Sequence, residues 1–390
     1  MITSTARMSV PITKPFLGEA EERSVLEVLR SGWLVQGPKV AEFERQVAAY
    51  VGAKYAVATS NCTTALHLAL LLHDIRPGDE VIVPSFTFIA TANAVLYTGA
   101  TPVFVDIDPR SHNIDPDAVE TAITKRTKVI MPVHQLGLAA DLDTLAKIAR
   151  RNNIALVEDA APAIGATYKG RRVGGLGYTA CFSFHPRKAI TTGEGGMLVT
   201  DDAAMAERAR RLRAHGMSLS DLTRHQADRV LFEVYDELGY NYRMTDLQAA
   251  LGIAQLSRLD LIIEQRQDLA RRYAGALRHV EGVHLPPSPT DTPHTYQSFM
   301  VKVPPGARDI LMQEMLKVGI ATRRGVMAIH MEPFYHKRYP ELRLPVTEDA
   351  ARDTVLLPMY ASMTSIEQEY VIEHFVRALE HCRPRPQHIA

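Results

Sequence analysis

The sequence predicts an α/β protein: a mostly parallel sheet covered by helices on both faces, followed by a smaller α+β domain. Three observations carry this reading. Short apolar runs alternate with amphipathic segments of helix length as far as Val199, the pattern that builds parallel strands joined by helical crossovers. The texture changes near Leu256, where a long charged segment leads into a mixture of strand and helix. A chain of 390 residues also exceeds what one small hydrophobic core can organise. The expected division is a large domain over residues 1–255, including an N-terminal helical segment, and a small domain over residues 256–390.

The elements follow in order. Glu19 to Arg30 has helical apolar spacing and stops at Ser31-Gly32. The turn Gly32 to Pro38 carries the single tryptophan, Trp33, and a second helix, Val40 to Val51, closes at Gly52. Tyr55 to Thr59 reads as a strand and feeds Ser60-Asn61-Cys62-Thr63-Thr64, which opens a helix to His73. Glu80 to Pro84, Pro102 to Asp106, Lys128 to Val133 and Ile154 to Glu158 are further strands. Helices near Thr87 to Tyr97, Asp115 to Ile123 and Leu142 to Arg151 lie between them. Cys181 to Phe184 is a short aromatic strand, Met197 to Val199 an apolar one, and an arginine-rich helix runs from Asp202 to His215. Beyond it come a charged helix, Leu256 to Leu277, a strand at Ser298 to Val303, and helices at Ala307 to Val318 and Thr364 to Glu380. Ligands of such sheets gather at the carboxyl ends of the strands, here Thr59-Ser60, Pro84-Ser85, His134 and Asp159.

Bulk properties narrow the function classes. Lys+Arg and Asp+Glu are equal at 44 each, so no charge excess points to nucleic acid or an anionic membrane surface. No apolar run approaches the length of a membrane span, and Met1 to Ile12 lacks the apolar region of a secretory signal. The three cysteines, Cys62, Cys181 and Cys382, are odd in number and far apart, which fits a reducing compartment. A cytoplasmic protein is expected. No metal is expected: His330, Glu332 and His336 have no standard ligand spacing.

Four motifs carry chemistry. Between the aromatic strand and the apolar one lies His185-Pro186-Arg187-Lys188, followed by Thr191-Thr192-Gly193-Glu194-Gly195-Gly196. Glycines at this density let the backbone approach another group closely. Lys188 is then either a solvated turn lysine or one held against a carbonyl cofactor. The Ser60 to Thr64 turn offers free helix N–H groups, suited to phosphate or to an ordinary N-cap. Asp159, after Val157-Glu158, is a carboxylate at the end of a buried strand, which calls for a cation or a capping role. Phe88, just past a strand end, can stack on a flat ring or join the core. In chain order on successive strand ends, the set suits the phosphate, ring, ring nitrogen and aldehyde of pyridoxal phosphate.

These residues bring the chain to a family it resembles, the nucleotide-sugar aminotransferases of the DegT/DnrJ/StrS group. The resemblance runs from about Val10 to Phe375 and is densest in Gly78 to Ser85, Gly99 to Asp106, Glu158-Asp159-Ala160-Ala161, Phe182 to Gly196 and Gly239 to Ala250. It implies the aspartate-aminotransferase-like architecture, fold type I, with a three-layer large domain and a seven-stranded sheet. It implies Lys188 as the lysine bonded to the cofactor, Asp159 on the pyridine nitrogen, and Phe88 stacked on the ring. Thr63, the Cys62 backbone and Ser183 would hold the phosphate. Asn241 would reach the cofactor phosphate of a partner subunit, hence a homodimer with shared sites. His330 would lie near the sugar site, with Trp33 and Arg323 shaping substrate choice together with the segment Met217 to Glu237. The implied activity is a ping-pong amino transfer from L-glutamate to a nucleotide-linked keto sugar, with a 4-keto-6-deoxy sugar as the first expectation. Amination of a cyclitol ketone and sugar dehydration are the related alternatives, and a non-catalytic binding module is a distant one. The chain departs from the family at Pro162, where Gln or His is usual.

A dinucleotide-binding reading fails. Gly175-Leu176-Gly177-Tyr178-Thr179-Ala180 has the glycine spacing, but it follows a polar stretch and precedes a strand, where the fingerprint must follow a strand and open a helix.

Overall fold

The computed structural model describes residues 8–219 and 227–382. Seven strands form the central sheet: β1 (Tyr55–Thr59), β2 (Glu80–Pro84), β3 (Thr101–Val105), β4 (Thr127–Ile130), β5 (Ala155–Asp159), β8 (Thr179–Ser183) and β9 (Gly196–Thr200). Their spatial order is β1-β9-β8-β5-β4-β2-β3. All neighbours run parallel except β9, which is antiparallel to both β1 and β8. The intervening β6 (Thr167–Tyr168) and β7 (Arg171–Arg172) form a separate small hairpin. This is the mostly parallel seven-stranded α/β architecture that the resemblance implied.

Side-chain alternation distributes the sheet between two cores. Ala56, Ile82, Ile130, Leu156 and Phe182 face one core with the helices Pro38–Val51 and Leu142–Asn152. Val57, Val81, Val129, Val157 and Cys181 face the other with the helices Cys62–Leu72 and Ala90–Tyr97. The helix Cys62–Leu72 is apolar around most of its circumference and almost wholly buried, as an interior helix must be. Its N-terminus is thereby held at the carboxyl edge of the sheet.

The C-terminal part has its own core and a three-stranded sheet, with β10 (Phe299–Lys302) and β11 (Arg323–Arg324) flanking β12 (Thr354–Leu357). The expected connector helix from Leu256 starts three residues later, as Leu259–Leu277 after Arg258, and Leu256 instead ends a separate helix, Asp246–Leu256. The N-terminal segment crosses the expected domain boundary. Val10 bridges Ile320 and packs in the C-terminal core, and the Ile12 carbonyl accepts the Met359 N–H. Of the segment Met217 to Glu237, residues 220–226 lie outside the described residues, as do residues 1–7 of the N-terminal stretch. Among the described residues, no helix is long and apolar enough to cross a membrane.

Candidate active site

A cleft of about 730 Å³ opens where the carboxyl ends of β1, β2 and β5 meet the loop after β8, and the C-terminal module closes its other side. Lys188 projects into it from that loop. The Phe184 N–H donates to the Gly195 carbonyl (2.9 Å), the Thr192 N–H to the Phe184 carbonyl (2.9 Å), and the Lys188 N–H to the His185 carbonyl (2.8 Å). Burial lowers the Lys188 pKa below the ordinary lysine value; Cys62 and Asp159 pull it back up, and the neighbouring Arg187 pushes it further down.

Asp159 ends β5 and is 4% exposed. Its Oδ2 accepts the Thr91 hydroxyl at 2.7 Å and its Oδ1 the Ala161 N–H at 3.1 Å. Thr91 in turn shares a hydrogen bond with Thr87 (3.1 Å). Burial raises the Asp159 pKa, opposed by these two donors and by Lys188. Among the described residues no cationic side chain forms a direct ion pair with it; Lys188 acts on the buried carboxylate only from a distance. A protonated pyridine nitrogen supplies the missing charge, so Asp159 fits pyridoxal phosphate.

The phosphate end fits as well. Asn61 caps the helix Cys62–Leu72 by accepting the Thr64 N–H (3.0 Å), while the Thr64 hydroxyl donates back to the Asn61 carbonyl (2.7 Å). The N–H groups of Cys62 and Thr63, in the first turn, have no acceptor within the helix. Thr63 and Ser183 both line the cleft near this end. Gly196 is required here by close approach: a Cβ on it would lie 2.3 Å from the Asn61 carbonyl oxygen. Phe88 stands on the cleft wall, 56% exposed, rather than in the core. Pro162 lies on the same lining and offers no donor.

Two expected substrate residues lie elsewhere. His330 is 1% exposed and absent from the cleft lining. It shares its Nδ1 with the Ser85 hydroxyl (2.7 Å) and its Nε2 with Glu348 (3.2 Å), and its N–H donates to the same Ser85 oxygen (3.1 Å). The short segment after β11 packs onto the end of β2 and buries the imidazole as a strut between the two modules. The Ser85–His330–Glu348 order resembles a nucleophile triad, but Ser85 is fully buried and reaches no substrate. Trp33 also stands outside the cleft of its own chain. Its turn is drawn away because the buried Asp246 carboxylate accepts the N–H groups of Gly37 (2.8 Å), Lys39 (3.0 Å) and Val40 (2.9 Å). Its indole donates to the Gln36 carbonyl at 3.3 Å. Arg323 does line the cleft. Asn241 is exposed and outside its own chain's cleft, although the adjacent Tyr242 carbonyl accepts the Ser60 N–H (2.8 Å). His134, expected at the rim, lies fully buried. Its Nδ1 accepts the Ala140 N–H (3.0 Å), so the proton sits on Nε2 and is donated to Glu158 (2.8 Å).

Thr91, Arg187, Gln297 and Thr13 line the cleft and were not among the expected site residues. Thr91 was within reach of the sequence, because it follows Thr87 by four residues in a segment read as helix. Gln297 and Thr13 carried no local signal; they reach the cleft from distant parts of the chain.

Comparison with known proteins agrees with this geometry. The model of the DegT/DnrJ/EryC1/StrS aminotransferase family matches residues 15–376. The spore coat polysaccharide biosynthesis protein SpsC of Bacillus subtilis is 40% identical over 371 residues, covering 93% of this chain and 95% of that protein. The aminotransferase TlmJ from Streptoalloteichus hindustanus superposes with a TM-score of 0.90 at 34% identity, covering 96% of this chain and all of the other (100%). The putative sugar aminotransferase Spr1654 from Streptococcus pneumoniae, in its PLP-form, superposes with a TM-score of 0.90 at 30% identity, covering 97% and 100% of the two chains. The chain belongs to the DegT/DnrJ/EryC1/StrS aminotransferase family, and it is an aminotransferase that works with pyridoxal phosphate.

Proposed function

We propose that the protein transfers the amino group of L-glutamate to a keto sugar carried on a nucleotide, with a 4-keto-6-deoxy sugar as the first candidate acceptor. The observation behind this reading is one continuous cleft. It holds Lys188, Asp159 with its two donors, Phe88 and a helix N-terminus, and it extends past them to Arg187 and Arg323. The sugar class is supported by relatives: SpsC of B. subtilis, described as a spore coat polysaccharide biosynthesis protein, and Spr1654, described as a putative sugar aminotransferase.

Bound pyridoxal phosphate supplies the electron sink for charge developing at the amine-bearing carbon. The chain's residues do the rest. Asp159 holds the ring nitrogen protonated, and Thr91 and Ala161 keep that carboxylate ionised and aimed. Phe88 covers one face of the ring. Thr63, the Cys62 backbone and Ser183 hold the phosphate. Lys188 anchors the cofactor through Nζ. Its free amine would accept and return a proton at the donor's α-carbon, a role favoured by its lowered pKa.

The working unit is a homodimer in which the partner subunit's Asn241 reaches the cofactor phosphate. Phe232 (84% exposed), Leu238 and Val230 lie uncovered on the segment leading to residue 241, more apolar surface than a solvated loop favours. Light scattering after size exclusion would give twice the chain mass; a monomer with full activity would remove the shared site. The protein would act in the cytoplasm.

The functional test is a set of nucleotide-linked keto sugars incubated with glutamate and holoenzyme, with products read by mass spectrometry. A nucleotide-linked amino sugar and 2-oxoglutarate are expected. A dehydrated sugar, or amination of a free cyclitol ketone alone, would replace the reading.

A further inference from the structure

We propose that Arg187 and Arg323 form an oxyanion subsite in the cleft, one that takes a carboxylate of the amino donor or the diphosphate of the nucleotide-linked acceptor. The inference rests on the proposed function, because both candidate anions belong to its substrates.

The first observation is a charge imbalance on the cleft wall. Arg187 and Arg323 both line the cleft, and among the described residues neither has a carboxylate oxygen within 4.0 Å. The neighbouring Arg324 is different: its guanidinium donates to Glu332 at 3.0 Å. Elsewhere, Arg213 pairs with Glu44 and Arg258 with Glu21, while the buried Arg266 donates instead to the Tyr296 (3.3 Å) and Gln297 (3.1 Å) carbonyls. Among the described residues, two carboxylates line the cleft, Asp159 and Glu194. Asp159 is engaged by Thr91 and Ala161, and Glu194 makes no ion pair with either arginine among the described residues.

The second observation is geometric. Arg187 is partly buried and its backbone is fixed on both sides: its N–H donates to His185 Nδ1 (3.1 Å), and its carbonyl accepts the Gln297 side chain (2.7 Å). Arg323 reaches the cleft from a different element, β11, which is paired antiparallel to β12 with Arg323 opposite Leu356. Both side chains belong to the same cleft lining; burial lowers the Arg187 pKa, and the charge of Arg323 lowers it further. Like charges set together are costly unless an anion comes between them. A guanidinium fork suits the oxygens of a carboxylate or a phosphate. Arg187 also shares the cleft lining with Lys188, and its charge bears on the Lys188 amine.

The test uses holoenzyme with Arg187→Gln and Arg323→Gln. Retained cofactor absorbance shows that each variant has folded and loaded. The two halves of the ping-pong cycle are measured separately by the change in visible absorbance, one with glutamate and the other with the keto sugar nucleotide. Glutarate and inorganic pyrophosphate are titrated calorimetrically as non-reacting probes. Loss of a charge-assisted contact predicts a fall of about 10- to 100-fold in apparent affinity in one half-reaction, with the other changed less than about threefold. Loss confined to glutamate and glutarate assigns the subsite to the donor carboxylate; loss confined to the acceptor and pyrophosphate assigns it to the diphosphate. The wild-type affinity for the same probe should weaken with added salt. If both variants match wild type in both half-reactions and with both probes, the subsite does not exist. A wild type inert to glutamate would instead overturn the proposed function, and probe binding would still report on the two arginines.

Discussion

Removing the Thr91 hydroxyl tests how the cleft keeps Asp159 ionised. Thr91→Val preserves the side-chain shape and deletes the donor that reaches Oδ2 at 2.7 Å, leaving the Ala161 N–H at 3.1 Å as the sole described donor to the carboxylate. A hydrogen bond to an ionised group contributes about 1.5–3 kcal/mol. The Asp159 pKa should therefore rise. It moves upward because the lost donor stabilised the charged form, while burial already favours the neutral one. The hold on the ring nitrogen weakens accordingly. The glutamate half-reaction, followed by visible absorbance from about pH 6 to 9, should lose roughly 10- to 100-fold in rate, with the deficit deepening as pH falls. Thr91→Ser keeps the hydroxyl and should stay within about threefold of wild type. A fully loaded Thr91→Val enzyme with an unchanged pH profile would refute this role for Thr91.

Three further outcomes follow from the same contacts. Burial raises the Asp159 pKa in the cofactor-free fold above its unfolded value, so its stabilising contribution is present at low pH and lost as pH rises through the folded pKa. A cofactor with a cationic ring offsets that loss, so the thermal stability gap between loaded and cofactor-free protein should widen from acid to neutral pH; a constant gap in thermal melts would contradict this. His330→Ala should cost about 2–4 kcal/mol in denaturant unfolding, because it empties a buried site and removes the imidazole partner of Ser85, leaving the Ser85 hydroxyl only the backbone N–H of residue 330. Its KM values should stay within about threefold of wild type; a rise of about tenfold or more with unchanged stability would return His330 to the substrate site. Gly196→Ala should weaken cofactor binding by about tenfold or more, because the added methyl displaces the Asn61 backbone that caps the phosphate helix. Unaltered affinity in an absorbance titration would show that this close approach is not needed.

Strands with continuous apolar runs were legible from the sequence. β1 and β2 fall on the expected residues, because their burial on both faces leaves an unbroken apolar signature. β11 was not legible, since its two arginines carry no strand signal and owe their conformation to pairing with β12. The helix Asp246–Leu256 was missed although Thr245 and Gln248 form a capping box at its start. At the site, Lys188 and Asp159 stood out because a charged residue after a buried strand demands a reason. Arg187 was read only as part of the turn, because nothing local reveals that Arg323 faces the same cleft. The burial of His330 was not legible for the converse reason: it depends on Ser85 and Glu348, neither adjacent in sequence.

The most direct test of the account is where the cofactor attaches. Holoenzyme reduced with borohydride and digested should carry the cofactor on the peptide containing Lys188, and Lys188→Ala should carry none. Attachment at another lysine, or glutamate-dependent turnover in Lys188→Ala, would contradict the assignment on which the site is built.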